Sequence, residues 1–189
     1  NNKEVAVNVH KLPLGTVVFE DIGMEKRRGK ILKTLKPNSR PVGTDPLVGR
    51  IVYETLEGSI EIPYGDRDQV GDYTLLVDDI VEFNIATDRR DKLQRATNIS
   101  LSEDTFLISK EKREKGYIAT MKEGYGFIRC TDRDGRMFFH YSELLDADRD
   151  VKQQQEVEFT VTVDGTGRQV AVRIRYLPKG TIATEQYMP

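Results

Sequence analysis

The chain has 189 residues, with 29 Lys and Arg, 31 Asp and Glu and a formal net charge of −2, which is enough for one large or two small domains. The plentiful charge and ordinary apolar content exclude a disordered chain, and no apolar run approaches the roughly 18 residues that span a bilayer. Because Lys and Arg are not in excess, any nucleic-acid binding must depend on local arrangement and stacking.

The first residues and the cysteine content indicate an intracellular protein. The start, Asn1-Asn2-Lys3-Glu4, does not resemble a signal peptide. The single cysteine, Cys130, cannot form an internal disulfide, which agrees with a reducing compartment. We therefore expect a cytoplasmic protein that does not associate with a membrane.

An internal repeat organises the chain. Val81-Glu82-Phe83, followed after twelve residues by Ala96, recurs as Val157-Glu158-Phe159, followed after eleven residues by Ala171. Self-similarity of this kind indicates two copies of one domain. We expect Phe83, Phe139 and Phe159 to be core residues, together with Phe19.

Each copy is expected to begin with a glycine-led, β-prone run, at residues 15–19 in the first copy and 116–120 in the second. On this alignment the first copy holds about 25 extra residues. The Pro- and Gly-rich stretch 36–49 predicts a long loop that accommodates them. Residues 110–115 contain no apolar side chain and predict a linker between the copies or a short helical turn.

The second copy contains two strands with exposed aromatic residues. In Glu123-Gly124-Tyr125-Gly126-Phe127-Ile128, Tyr125 and Phe127 share one strand face with Arg129. After a turn, Phe138 and His140 share one face of Met137-Phe138-Phe139-His140-Tyr141. Paired as a hairpin, these strands would bring the rings into one cluster. Glycine weakens a strand unless something approaches its backbone closely, and a stacked base is one candidate.

The last two strands of this copy are expected to form a hairpin. Val157, Phe159, Val161 and Val163 alternate with polar residues, a turn follows at 164–167, and Val170, Val172 and Ile174 resume the alternation. This period places Arg173 on the outer face, where it is a further candidate for phosphate contact. One helical turn is expected at 142–146. About five short strands per copy favour a small closed barrel.

These residues resemble the cold shock domain family. Gly124–Ile128 is similar to its first ribonucleoprotein motif and Met137–Tyr141 to its second. The resemblance implies that single-stranded RNA is bound by base stacking, with Tyr125, Phe127, Phe138, His140 and Tyr141 as base contacts. Lys122, Arg129 and Arg168 are the nearby candidate cations for the RNA backbone.

The second copy also departs from the family pattern. The basic residue expected before the first motif is Glu123, the expected first-strand Lys-Trp-Phe appears as Ala119-Thr120-Met121, and the chain contains no tryptophan. We therefore expect a reduced affinity for RNA.

The first copy resembles the family weakly, because its counterpart to the second motif, residues 59–64, has no Phe-x-His pair. Its basic run, Lys26 to Lys33, makes Arg27, Arg28 and Lys30 the candidates for phosphate contact, against the alternative of a solvated loop. A degenerate domain followed by a motif-bearing one resembles the Unr family of multi-cold-shock-domain proteins. That resemblance implies a multi-domain cytoplasmic regulator of mRNA translation and stability.

The predicted fold is all-β, with two tandem five-stranded OB-like barrels. We expect a degenerate cold shock domain over 12–108, a linker at 109–115 and a motif-bearing cold shock domain over 116–177. Leu12-Pro13-Leu14-Gly15-Thr16-Val17 is echoed by Leu177-Pro178-Lys179-Gly180-Thr181-Ile182. Residues 178–189 are therefore expected to be a linker or the start of a further domain.

Catalytic and metal signals are missing from the sequence. His10, His140 and Cys130 lack metal-site spacing, and no nucleophile has a neighbouring base. We expect no enzymatic activity, no cofactor and a monomer. The expected partner is single-stranded RNA, with purine-rich sequences as candidates, alongside other RNA-binding or translation-regulatory proteins. The open alternatives are a protein-interaction scaffold and a single-stranded DNA-binding module.

Overall fold

The computed structural model describes residues 2–14, 16–35, 47–146 and 150–182. It is nearly all-β, and two sheets follow each other along the chain, which confirms the predicted tandem. The long loop predicted over 36–49 falls mostly outside the described residues, which resume at Leu47.

The first sheet is curled and consists of six strands in the described part of the chain. Its order is β1-β5-β2-β3-β4, with β6 paired to β5, and the fully buried Ile31, Ile51 and Phe83 lie in its core. The parallel bridge from Gln69 to Ile99 corresponds to the bridge from Leu144 to Ile174 in the second sheet. The described strands of the first sheet form no counterpart to the parallel pairing of Val170 with Phe138, so the first sheet is less closed than a complete barrel. The strands are β1 (Glu20–Ile22), β2 (Arg27–Lys33), β3 (Gly49–Thr55), β4 (Gly58–Tyr64), β5 (Ile80–Asp88) and β6 (Gln94–Leu101).

The second sheet is a closed five-stranded barrel with the order β10-β11-β9-β8-β7, in which β7 pairs back to β10. All pairings are antiparallel except that between β9 and β11. Ile118, Ile128, Phe139 and Phe159 are fully buried inside it. The strands are β7 (Glu114–Met121), β8 (Tyr125–Cys130), β9 (Arg136–His140), β10 (Glu156–Val163) and β11 (Gln169–Tyr176).

The internal repeat is confirmed by matching hairpins. Ile85 pairs with Ala96 in the first sheet, as Val161 pairs with Ala171 in the second. Each hairpin also has a register shift near one residue in the left-handed region, Asn98 at φ 51° and Arg173 at φ 55°. The same β-bulge therefore recurs in both copies.

The predicted start of the first copy is wrong. Residues 16–19 are not a strand, and Phe19, expected in the core, is 77% exposed. The counterpart of β7 is β2, where Gly29 occupies the position of Gly116. A Cβ at Gly29 would lie 2.7 Å from the Ile51 side chain, and one at Gly116 would lie 2.6 Å from Ile128.

A short helix and a brief connector join the two sheets. Helix α1 (Thr105–Ser109) ends at Lys110, which is left-handed with φ 55°. Strand β7 begins at Glu114, so the last two residues of the predicted linker 109–115 belong to the barrel. The helical turn predicted at 142–146 occurs one residue earlier, as a 3-10 turn at Tyr141–Glu143.

The two domains meet at a buried arginine. Arg173 is fully buried, and its guanidinium contacts Asp79 of the first domain at 2.6 Å and Glu111 of the connector at 3.0 Å. Its predicted exposure on the outer face is wrong. The bulge interrupts the strict alternation of side chains along β11. In addition, the outer face on which alternation places Arg173 is covered by the first domain and the connector.

Further contacts surround this arginine. The Glu143 carboxylate accepts hydrogen bonds from the backbone N–H of Arg173 at 3.0 Å and from the Thr74 hydroxyl at 2.5 Å. Phe106 of α1 lies under the Arg113 guanidinium, 3.9 Å from its ring centre. Burial lowers the pKa of Arg113 to about 10, so this side chain remains charged at neutral pH.

We predict that Asp79→Asn lowers the free energy of unfolding by about 3–5 kcal/mol, because it leaves the buried Arg173 charge with only one acidic partner. The Asn side chain can still accept the 2.7 Å hydrogen bond from the backbone N–H of Leu76. The exposed pair between Asp21 and Arg89 provides the control. Asp21→Asn should leave the free energy of unfolding nearly unchanged, because solvent screens the exposed pair. Urea unfolding measures both, and equal losses would contradict a special role for the buried pair.

Candidate nucleic-acid interface

The aromatic residues of β8 and β9 point to the outside of the closed barrel because the strand period places them opposite the core. Along β8, Ile128 is buried while Tyr125 is 36% exposed and Phe127 half-buried. Along β9, Met137 and Phe139 are buried and leave Phe138 half-buried on the outer face. The predicted hairpin is confirmed.

The hairpin register brings the rings together. Tyr125 lies opposite His140, and Phe127 lies opposite Phe138. The ring centres of Tyr125, Phe127 and Phe138 are 5.5 to 6.1 Å apart. These three rings and His140, which we call the aromatic face, form one continuous patch on the barrel surface.

Gly126 is required by the core beneath the aromatic face. It is buried, and a Cβ at this position would lie 2.6 Å from the Thr120 carbonyl oxygen and 2.8 Å from the Phe139 ring. The close approach that favours glycine here comes from the core side. The sequence-based explanation, a base stacked against the glycine backbone, is therefore not needed to account for Gly126.

His140 is oriented by the turn that follows β9. Its Nδ1 accepts a hydrogen bond from the Ser142 backbone N–H at 3.1 Å and lies 2.8 Å from the Ser142 hydroxyl. A neutral ring with this acceptor carries its proton on Nε2. His140 can therefore offer an N–H donor at the edge of the aromatic face.

Tyr141 is not brought into the aromatic face. Its ring lies 5.8 Å from the Phe139 ring, against the barrel core, and its hydroxyl donates a 2.5 Å hydrogen bond to the Lys122 carbonyl. The alternation of side chains along β9 already predicted that Tyr141 lies on the other face of the strand from His140. In this structure Tyr141 supports the β7–β8 turn.

Arg168 stacks on the aromatic face from the β10–β11 turn. Its guanidinium lies 4.2 Å from the centre of the Phe138 ring, within the range of a cation–π contact. Asp164 accepts hydrogen bonds from the Thr166 hydroxyl at 2.6 Å and from the backbone N–H of Arg168 at 3.0 Å. The Thr166 hydrogen bond is the main reason that the pKa of Asp164 falls to about 2. Asp164 thus positions Arg168 while ionised.

Two arginines extend the aromatic face along the hairpin. Arg129 and Arg136 are exposed and lie directly opposite each other on β8 and β9. Arg136 was not among the candidates, although its position two residues before Phe138 places it on the same face. Lys122 is exposed in the β7–β8 turn, where its N–H bonds the Tyr125 carbonyl.

The first domain has no equivalent of the aromatic face in its described strands. Gly29 pairs with Tyr53 as Gly116 pairs with Cys130, which fixes the correspondence between the hairpins. In that register Arg50 and Pro63, themselves paired, occupy the positions of Phe127 and Phe138. The strand pairing thus places non-aromatic residues at the two positions where the second domain has stacking rings.

The three basic candidates of the first domain differ in their contacts. Arg28 is paired with Asp104 at 2.6 Å, and the Arg27 guanidinium lies 5.7 Å from the Tyr53 ring centre. Lys30 is exposed on β2, on the outer side of the sheet. Lys30 is therefore the least constrained of the three.

We also searched the described ranges for a metal site, a membrane-spanning helix and a reactive cysteine. No group of three His, Cys, Asp or Glu side chains there is arranged to hold a metal ion. No helix in those ranges is long and apolar enough to cross a bilayer. Cys130 is buried, and burial raises its thiol pKa, so it is not an activated nucleophile.

A closed five-stranded barrel with aromatic residues on two adjacent strands is a nucleic-acid-binding architecture. Residues 114–177 match the family described as "'Cold-shock' DNA-binding domain", and residues 28–101 match "Cold shock domain-containing protein E1 CSD domain". Together the matched ranges account for most of the chain. The chain belongs to the cold shock domain family and carries two such domains in tandem.

The chain is similar to the RNA-binding protein Unr of Drosophila melanogaster, with 47% identity over 191 residues. This match covers 97% of the chain but only 18% of the relative. The solved structure of "drosophila Unr CSD456" is similar with a TM-score of 0.73 and 48% identity, covering 85% of this chain and 65% of that one. The chain therefore spans less than a fifth of the length of the Unr relative that it matches.

We predict that Gly126→Ala lowers the free energy of unfolding by about 1–3 kcal/mol, because the added methyl group overlaps the Phe139 ring and the Thr120 carbonyl. Gly165 provides the control, since a Cβ there meets nothing within 4 Å and the residue is not left-handed. Gly165→Ala should leave the unfolding midpoint nearly unchanged. Thermal or urea unfolding measures both variants, and a tolerated Gly126→Ala would show that the core does not require this glycine.

Proposed function

We propose that the second domain binds single-stranded RNA by stacking bases on the aromatic face. The observation that supports this most directly is the patch of Tyr125, Phe127 and Phe138, whose ring centres lie within 6.1 Å of one another on the outside of the barrel. The core behind them is already filled by Ile128 and Phe139, so these rings are not needed to complete it.

Stacking on such a face selects unpaired bases. An exposed ring contributes roughly 1 to 3 kcal/mol per base and tolerates many sequences, because every base has a π-face. Bases within a duplex are stacked on each other and cannot reach the rings. The expected ligand is a single strand, a loop or a melted segment, and purine-rich RNA is our candidate because larger bases offer more stacking area.

The cations around the aromatic face would contact the RNA backbone. Arg129 and Arg136 lie at one end of the hairpin, and Lys122 lies in the turn at the other. Arg168 covers part of Phe138 and would either stack beside a bound base or turn outward to a phosphate. Within the described residues of the domain these are the few cations that we place near the rings, so the phosphate contribution should be modest.

The first domain would act without stacking. Arg50 and Pro63 replace the rings, so its contribution would come from phosphate contact through Lys30, or through Arg27 and Arg28 after their present contacts are released. We propose that it is a degenerate cold shock domain that positions or extends the RNA path.

The wider role we propose is that of one segment in a multi-domain, cytoplasmic regulator of mRNA translation and stability. The support is the similarity to Unr, whose name describes it as an RNA-binding protein. The chain corresponds to 18% of that relative, so this role concerns the longer protein. Tethering the chain to a reporter mRNA, and measuring protein output against mRNA level, tests whether this segment suffices.

We predict that Phe127→Ala with Phe138→Ala weakens binding to a purine-rich RNA oligonucleotide by about 30-fold or more, since two stacking rings are removed. Fluorescence anisotropy measures the affinity, and circular dichroism checks the fold. Phe19→Ala, which removes an exposed ring outside the barrel, is the matched control and should leave affinity unchanged.

An unchanged affinity of the folded double variant would reject the stacking mechanism and favour the protein-interaction scaffold. Parallel titrations with the DNA oligonucleotide of the same sequence test the RNA preference. Equal affinities would make the domain a general single-strand binder, because stacking alone does not sense the 2′-hydroxyl.

We also predict a shallow salt dependence. If the few cations beside the rings contact phosphates, the logarithm of the affinity should fall against the logarithm of salt concentration with a slope of about −2 to −3, at about −0.7 per contact. Arg129→Gln with Arg136→Gln should reduce the slope by about 1.4. A steep slope that this double variant does not change would place the phosphate contacts elsewhere.

A further inference from the structure

The repeated segments at residues 12–17 and 177–182, which we call connector segments, share the same threonine-to-proline hydrogen bonds. In the first, the Thr16 hydroxyl and backbone N–H donate to the Pro13 carbonyl at 2.6 and 3.1 Å. In the second, the Thr181 hydroxyl and N–H donate to the Pro178 carbonyl at 2.5 and 3.2 Å. These hydrogen bonds therefore recur at equivalent positions of the sequence repeat.

The second connector segment is docked on the barrel that precedes it. The buried Glu156 carboxylate, at the start of β10, accepts hydrogen bonds from three successive backbone N–H groups. Gly180 donates at 2.6 Å, Thr181 at 3.2 Å and Ile182 at 2.8 Å. The Ile182 side chain is only 3% exposed, so apolar burial accompanies these charge-assisted hydrogen bonds.

The first connector segment has the same hydrogen bonds, but its apolar side chains are in solvent. Val17, the counterpart of Ile182, is 56% exposed, and Leu12, the counterpart of Leu177, is 61% exposed. The neighbouring Phe19 is 77% exposed as well. This run of exposed apolar residues beside a preformed turn has the character of an unoccupied contact surface.

The two domains of this chain use different connectors, which identifies the kind of barrel that fits residues 12–17. The counterpart of Glu156 in the first domain is Ile80, since Ile80 pairs with Lys30 as Glu156 pairs with Tyr117. After the first domain, the chain forms α1 and Thr105 accepts from the Ile80 N–H at 3.0 Å. The Leu-Pro-x-Gly-Thr sequence follows only the barrel that bears the acidic residue.

We propose that residues 12–17 dock onto a motif-bearing cold shock barrel that has a glutamate at the position of Glu156. In this arrangement the backbone N–H groups of the connector segment donate to that carboxylate, and Val17 enters the site that Ile182 fills in the second domain. The partner is the preceding repeat of an Unr-like chain, of which this chain matches only a part. This contact does not depend on RNA binding.

The test is a head-to-tail tandem in which residue 176 of one copy of the full chain is followed directly by residue 12 of a second copy. Leu12 of the second copy then follows Tyr176, as Leu177 does in the single chain. Amide hydrogen exchange of Val17 in an isotopically labelled second copy is compared with that of Val17 in the single chain. We expect exchange at least about tenfold slower in the tandem, approaching that of Ile182.

Substitutions in the first copy of the tandem identify the acceptor. Glu156→Ala should return Val17 of the second copy to the single-chain exchange rate, whereas Glu123→Gln, at an exposed position, should not. Exchange at Ile128 reports whether the Glu156→Ala barrel remains folded. If it does not, Glu156→Gln, which keeps one oxygen acceptor, should give an intermediate rate. Equal exchange of Val17 in tandem and single chain, with Ile182 protected in both, would overturn the proposal.

Discussion

One buried guanidinium determines how the two domains are joined. Taking a charge out of water costs several kcal/mol unless it is paired, so Arg173 requires both of its carboxylate partners. Asp79 comes from the first domain and Glu111 from the connector, so neither can move away without leaving a buried charge uncompensated. Burial raises the pKa of Asp79 and the Arg173 charge opposes that rise, as expected for an acid buried to serve a cation. Glu143, shared between Thr74 and the Arg173 backbone, adds a second link across the same junction.

The strand that carries Arg173 also contributes to the aromatic face. Val170 of β11 pairs with Phe138, and Arg168, just before the strand, stacks on the Phe138 ring. Strand β11 therefore connects the junction, through Arg173, with the aromatic face, through the pairing of Val170 with Phe138. A linked neighbouring domain raises the affinity of a weak stacking site only when the geometry lets both domains bind the same ligand at once. With the domains joined through buried ion pairs, any contribution of the first domain to RNA binding would come from a defined position, at little further cost in ordering.

Sequence patterns predicted the features that follow strict periodicity. Phe127, Phe138 and His140 were placed on the outer face by alternation, and the pairing of β8 with β9 confirms that placement. Arg173 was misplaced because a bulge with a left-handed residue breaks the alternation, and neither a bulge nor a neighbouring domain is visible in a period of two. Phe19 was misassigned because residues 15–19 resemble a first strand in composition, whereas the close approach of β2 to β3 at Gly29 marks the true one.

The shared bulge shows how two domains of one architecture acquire different surfaces. In the first domain the left-handed position is Asn98, a residue type that tolerates this conformation, and it is exposed. In the second domain the same position is Arg173, which tolerates it less well and is held by its buried ion pairs. The left-handed backbone therefore directs a long cationic side chain out of the barrel and into the junction. The two domains therefore share a buried core and differ on the surfaces around it. The first has Arg50 and Pro63 where the second has stacking rings, and in the second the residue at the bulge, Arg173, binds the preceding domain.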